Sequence, residues 1–281
     1  KQVRTITPTV VTTGTTETLT VTYGSGSMQT AAMDGSVTAA EVNALVVSAI
    51  NALAGATVAS ISREIDSSLA SKVDFSFSYN SKTTVYAAKQ VLAMQIAYAT
   101  LEQTNEIGDW KASRQALNAL PKALLQTQVE GEALCSKIAY GIKDAPNTYV
   151  LGAGPNWAGA YGLSMCYLME MQWMHSGAFN SGEFFHGAFE IVTDSTPVIL
   201  FQGEDSSRPM GDRARIFLEK YTKNLFIIDS KNFTLPGVPN AQRGEVSAIA
   251  TGTFTTRLAK HLEFVRQHNL ENRRYMFKVD Y

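Results

Sequence analysis

The feature that most narrows the fold is an alternation of short apolar strands with helices, joined by short links. Thr148-Tyr149-Val150-Leu151-Gly152-Ala153-Gly154 reads as a strand running into a glycine turn. A helix follows over 158–174, a strand over 197–201, a helix over 212–222 and a strand over 225–228. A parallel return between neighbouring strands needs a crossover long enough to hold a helix, so this rhythm predicts a parallel sheet covered by helices.

The same rhythm occurs upstream. Residues 37–54 put Val42, Leu45, Val46, Ile50 and Leu53 on one helical face, and Gly55 ends the helix. A short apolar strand follows over 57–61, and Val73 to Tyr79 alternates strictly, as a half-buried strand does. From 83 to about 143 the pattern is helical, with Pro121 expected to kink or divide the second helix. A last helix is expected over 254–267. The opening stretch, Lys1 to Gly35, is crowded with Thr, Ser and Gly, with strands expected over 9–13 and 19–23. The prediction is an α/β protein with two units in tandem, each a parallel sheet flanked by helices. The first spans 1–105, and the second spans 106–281 with a helical connector and a C-terminal tail.

Composition bounds the functional classes. With 281 residues, 45% hydrophobic and 17% charged, the chain can bury one large core or two moderate ones. A net charge of −1 gives a nucleic-acid partner no electrostatic support. No apolar run is long enough to span a membrane. No signal peptide is visible, and a start at Lys1 without Met is compatible with a removed leader. Cys135 and Cys166 form no metal or disulfide motif, and a reducing cytoplasm is the expected location.

The run from Glu170 to His186 carries the chemistry. It places a carboxylate on an apolar helix, then a glycine-bounded turn that ends on an imidazole. A buried Glu tends to hold its proton more tightly and a His titrates near neutrality, so the two can serve as base and acid for moving protons on a small molecule. Each also has an ordinary structural reading: Glu170 paired with an Arg, His186 capping a local turn. His175, His261 and His268 complete the four histidines, whose spacing matches no metal-ligand motif, so no metal is expected.

Ser25, Ser27, Ser36 and Thr38 are candidates for phosphate contacts, because small hydroxylated residues and backbone amides at a strand-to-helix turn can hold an anion. Ordinary turn and capping chemistry is the alternative for each. Gly152-Ala153-Gly154 lacks the third glycine of a dinucleotide fingerprint, since that position is Trp157. Arg208, Arg213 and Arg215, and the Arg273-Arg274-Tyr275 run, can line an anion site or pair with neighbouring carboxylates.

Met169-Glu170-Met171-Gln172-Trp173, Ser181-Gly182-Glu183-Phe184-Phe185-His186-Gly187 and Arg273-Arg274-Tyr275-Met276 together resemble the sugar isomerase (SIS) family. They are similar to the second SIS domain of the glucosamine-6-phosphate synthase isomerase unit, and more so to the bacterial fructosamine-6-phosphate deglycases, including the fructose-asparagine pathway type. In that family a catalytic Glu precedes a His by sixteen positions, the spacing of Glu170 and His186 here. The Pro that commonly follows the His-Gly pair is Ala188 in this chain. The region before Gly55 is shorter than the usual start of a first SIS unit, which implies an incomplete first unit. Its Gly35-Ser36-Val37-Thr38 run matches the family's phosphate loop best, with Thr13 to Thr18 as a rival.

The resemblance implies two SIS units and a deglycase that cleaves a fructosamine 6-phosphate to glucose 6-phosphate and an amine. Glu170 would be the principal base and His186 the acid or base at the ring oxygen or leaving amine. No cofactor is implied, and the expected assembly is a homodimer with shared sites. An amino-sugar-phosphate isomerase or deaminase would use the same pair. A sugar-phosphate-sensing regulator is the third reading.

Overall fold

Parallel pairing predominates among the described strands, as the alternating pattern predicts. The computed structural model describes residues 20–23, 26–29, 57–80 and 85–280. The chain divides into two units, Lys1–Ile96 and Ala97–Tyr281. In the first, β1 (Thr20–Tyr23) pairs antiparallel with β2 (Gly26–Gln29), and β3 (Ala59–Ser62) pairs parallel with β4 (Phe75–Ser78). Asp74 ties the β3–β4 pair together, accepting from the Val58 N–H at 2.8 Å. The strand expected over 9–13 and the helix expected over 37–54 lie outside the described residues.

Helix α1 (Val85–Gln103) is followed by α2 (Trp110–Ile142), which begins on an Asp109 cap whose carboxylate accepts from the Ala112 N–H at 3.1 Å. α2 runs through Pro121 without a break. Its buried residues Leu117, Leu120, Ile138 and Ile142 recur at helical spacing along its whole length, and tertiary packing on that face outweighs one lost hydrogen bond.

The second unit is built on four parallel strands in the order β6-β5-β7-β8: β5 (Thr148–Gly152), β6 (Ser176–Asn180), β7 (Val198–Gln202) and β8 (Leu225–Asp229). The sequence pattern predicts a turn where β6 lies. Gly177, Ala178 and Asn180 have weak strand preference, and it is the edge pairing, Thr148 opposite Ser176 through Gly152 opposite Asn180, that makes the segment extended.

The crossover after β5 is α3 (Asn156–Gly162), which widens without interruption into a π-helix over Leu163–Met171. The Gln172 N–H donates to the Tyr167 carbonyl, five residues back, at 3.0 Å. The helix expected to reach 174 therefore ends earlier, and Trp173 adopts a left-handed backbone with φ +54°. α4 (Arg208–Tyr221) joins β7 to β8, and α5 (Arg243–Arg266) closes the unit. α5 begins eleven residues before the expected 254. Its first turns use Ser247, Ala248, Ala250, Thr251 and Gly252, all buried, and small or hydroxylated residues leave no apolar period to read.

Side chains alternate across the sheet, and the two faces are covered by different helices. Tyr149, Leu151, Val198 and Leu200 pack with Ala214 and Leu218 of α4 and with Phe184. On the other face, Phe201 meets Gly159 of α3, which in turn touches Gly252 of α5. α5 packs along α2, where Gly131 admits the Phe254 ring: a Cβ there would fall 2.7 Å from it.

Candidate active site

Glu170 stands at the last turn of the π-helix, with its side chain 26% exposed. Its Oε1 lies 3.1 Å from Nη2 of Arg273, a side chain only 15% exposed. Arg273 is itself fixed by its own backbone surroundings, with Nη1 donating to the carbonyls of Leu270 at 2.7 Å and Asn272 at 2.8 Å. The pair borders a cavity of about 440 Å³ whose wall also includes Met169, Trp173, Met174, His175, Arg274, Tyr275 and Met276. This cavity joins the end of the π-helix to the C-terminal tail, two segments about a hundred residues apart in sequence.

Trp173 is the post around which the tail is wrapped. The guanidinium of Arg274 lies 4.4 Å from its ring centroid, and the His268 ring meets it edge-on at 4.5 Å. Gln172 Nε2 donates to the His268 carbonyl at 2.8 Å, and Arg266 Nη2 to the Gln172 carbonyl at 3.3 Å. One turn before Glu170, burial first and the Glu170 charge second push the Cys166 thiol above its ordinary range. It is therefore a protonated neighbour and not a nucleophile.

His186 ends a short 3-10 turn over Glu183–His186, after β6. Its side chain is 75% exposed, and Nδ1 lies 3.2 Å from Oε2 of Glu183. Nε2 is the ring nitrogen outside this contact. The turn is anchored by Phe184, fully buried against Phe179, Phe185 and Phe217. Phe185 in turn carries the Arg213 guanidinium 4.0 Å above its ring.

The structure does not bring Glu170 and His186 together within one chain. The helix bearing Glu170 covers the Phe201 face, and the turn bearing His186 packs through Phe184 on the Leu151 and Leu200 face. Ser27 lies within β2, opposite Thr22, and Ser25, Ser36 and Thr38 lie outside the described residues. Gly154 has φ +51°, and a Cβ there would fall 2.4 Å from Ser207 Oγ, so the Gly152-Ala153-Gly154 segment is a tight turn against the loop after β7.

Of the arginines singled out in the sequence, Arg208 is bidentate to Asp229 at 2.9 and 2.5 Å, and Arg215 pairs with Glu219 at 3.0 Å. The structural reading holds for both. For Arg273 the structure joins the two readings, since its carboxylate partner is the candidate base. Among the described residues no group of three or more His, Cys, Asp or Glu side chains could hold a metal ion.

No protein-family model matches the chain. Fructosamine deglycase FrlB of Bacillus subtilis is 34% identical over 188 residues, covering 66% of this chain and 57% of the relative. Fructoselysine 6-phosphate deglycase of Escherichia coli O157:H7 is 30% identical over 130 residues, covering 46% of this chain and 37% of the relative. A Bacillus subtilis crystal structure, of a protein proposed to be a phosphosugar isomerase, superposes with a TM-score of 0.76 at 28% identity over 86% of this chain and 73% of that one.

The chain is a homologue of the fructosamine deglycases.

Its α/β fold, with parallel sheets flanked by helices, is that of the phosphosugar isomerases. The resemblance to the deglycases and phosphosugar isomerases expected from the sequence is thereby shown. The chain spans less than two thirds of the length of the curated deglycases it matches. No helix among the described residues is long and apolar enough to cross a membrane.

Proposed function

We propose that this chain belongs to an enzyme that cleaves a fructosamine 6-phosphate to glucose 6-phosphate and a free amine. The observation that carries the reading is Glu170, a carboxylate with one oxygen held by Arg273 and bordering a cavity, in a homologue of named deglycases. In a fructosamine, C1 bears the amine and C2 the carbonyl. A base that takes a proton from C1 gives an enaminol, and return of a proton to C2 gives an imine at C1. Water then adds to C1 and the C1–N bond breaks, leaving the aldehyde of glucose 6-phosphate and the amine. Glu170 is suited to carry the proton between C1 and C2, a contribution of about 10²–10⁴ in rate. Through Nε2, His186 serves the ring oxygen or the leaving amine.

The working unit in this reading is a homodimer whose sites draw on both chains. The separate surroundings of the two groups support it, with Glu170 against the C-terminal tail and His186 on the exposed turn after β6. Ser25, Ser27, Ser36 and Thr38 are the proposed phosphate contacts. The two free cysteines fit work in the cytoplasm.

The test is a panel of 6-phosphorylated fructosamines with glucose 6-phosphate release as the readout, and glucosamine 6-phosphate as comparison. Release from the fructosamines supports the deglycase. Turnover of glucosamine 6-phosphate alone would replace it with an isomerase or deaminase, and turnover of neither would remove the enzymatic reading.

A further inference from the structure

We infer that Arg273 is the positioning residue for Glu170, so that the C-terminal tail is a working part of the catalytic site. The role rests on the proton-transfer function proposed for Glu170. A carboxylate at the end of a helix has several rotamers available, and a base works only where its oxygen meets the proton it abstracts. Arg273 Nη2 holds Oε1 at 3.1 Å, and no other side chain among the described residues forms an ion pair with Glu170. One oxygen is therefore fixed, and the other is left to exchange a proton with a molecule in the cavity.

Arg273 has the features of a holder. Its own position is set by two backbone carbonyls, Leu270 and Asn272, which leave Nη2 to reach the carboxylate. The tail that presents it is tied on both sides of the contact: His268 before it and Arg274 after it both pack on Trp173. Trp173 in turn keeps a left-handed backbone three residues beyond Glu170. Two adjacent arginines thus have different work, Arg274 fastening the tail to the tryptophan and Arg273 orienting the carboxylate. Its buried Nε has no protein partner, so the side chain is not fully used by the fold.

A residue that acts through Glu170 has a kinetic signature that a merely structural one lacks. The experiment measures kcat, KM and thermal midpoint for the wild type, Arg273→Met, Arg273→Lys, Glu170→Gln and the Glu170→Gln/Arg273→Met double variant on a fructosamine 6-phosphate. Misplacing a catalytic group by an ångström costs on the order of 100-fold, so Arg273→Met is expected to lose roughly 10- to 100-fold in kcat, with KM changed little. Arg273→Lys retains the charge and is expected to fall between. In the Glu170→Gln background there is no base left to orient, so adding Arg273→Met should cost nothing further.

An Arg273→Met variant with wild-type kcat would overturn the role, as would an equal kcat loss in the Glu170→Gln background or a rise in KM alone. Should Arg273→Met fail to fold, Arg273→Lys carries the same comparison, with a kcat loss expected when Glu170 is intact and none in the Glu170→Gln background. A wild type that releases no glucose 6-phosphate overturns the deglycase reading itself, and Arg273 falls with it. An active wild type with an inactive Glu170→Gln upholds that reading, and the Arg273 variants then decide the positioning role alone.

Discussion

Glu170 and His186, sixteen residues apart in sequence and separated by β6, have different partners: Glu170 pairs with Arg273 of the tail at 3.1 Å, and His186 with Glu183 of its own turn at 3.2 Å. The helix before β6 covers the Phe201 side of the sheet, and the turn after β6 seats Phe184 on the Leu151 side. In the proposed homodimer, the pair marked by its spacing in the sequence is completed by two copies of the chain.

Glu170→Gln keeps the size of the side chain and removes the base. Deglycase turnover is expected to fall by at least about 100-fold, the low end for loss of general-base catalysis, with the melting temperature little changed. A steady-state assay with glucose 6-phosphate detection checks it, and near-normal turnover would remove Glu170 from the mechanism.

Phe184 connects the core to the His186 turn. It is fully buried against Phe179, Phe185 and Phe217, so Phe184→Ala should cost about 3–5 kcal/mol of stability by leaving a cavity. Phe184→Leu should cost less and still loosen the turn, lowering kcat in a protein that remains folded. Chemical denaturation alongside kinetics separates the two effects. Full stability in the alanine variant would contradict the packing described.

Asp229 sets a pH dependence. Burial alone would raise its pKa, but the Arg208 hydrogen bonds, the Lys231 N–H and the nearby positive charges outweigh that and hold it below the ordinary carboxylate range. A lowered folded-state pKa stabilises the fold above the unfolded value, about 3.9, and that contribution is lost as pH falls through the folded value. Asp229→Asn should therefore destabilise the fold near neutral pH, with the deficit shrinking as pH falls below the ordinary carboxylate range. Denaturation midpoints across pH check this, and a deficit that grows on acidification would reverse the sign.

Replacing Ser36 and Thr38 together with Ala should raise KM for the phosphorylated substrate more than it lowers kcat, as for a contact made equally in ground and transition states. Kinetics on phosphorylated substrate test it. An unchanged KM, or a bound sugar phosphate found far from both Gly24–Ser27 and Gly35–Thr38, would contradict the assignment and leave Glu170 and His186 untouched.

The strands β5, β7 and β8 were legible because each is a short apolar run, fully buried in β5 and β7 and alternately buried in β8. β6 was not, because Gly177 and Ala178 carry no strand preference and only pairing with β5 extends them. The start of α5 was hidden by small residues whose role is close helix contact, and Pro121 does not divide α2, because a well-packed helix continues through a proline. At the site, Glu170 and His186 were marked by residue type and spacing. The Arg273 partner was visible only as one of two readings, since no local pattern ties residue 273 to residue 170. That contact comes from the tail folding back on Trp173.

The most direct measurement of the central claim mixes two inactive proteins. Glu170→Gln and His186→Asn are each purified, allowed to exchange subunits, and assayed for glucose 6-phosphate release from a fructosamine 6-phosphate, with exchange followed by differently tagged chains. A site built from Glu170 of one chain and His186 of another predicts that activity reappears, because a mixed dimer contains one intact pair and one doubly altered pair. Confirmed exchange without recovered activity would contradict a site shared between two copies.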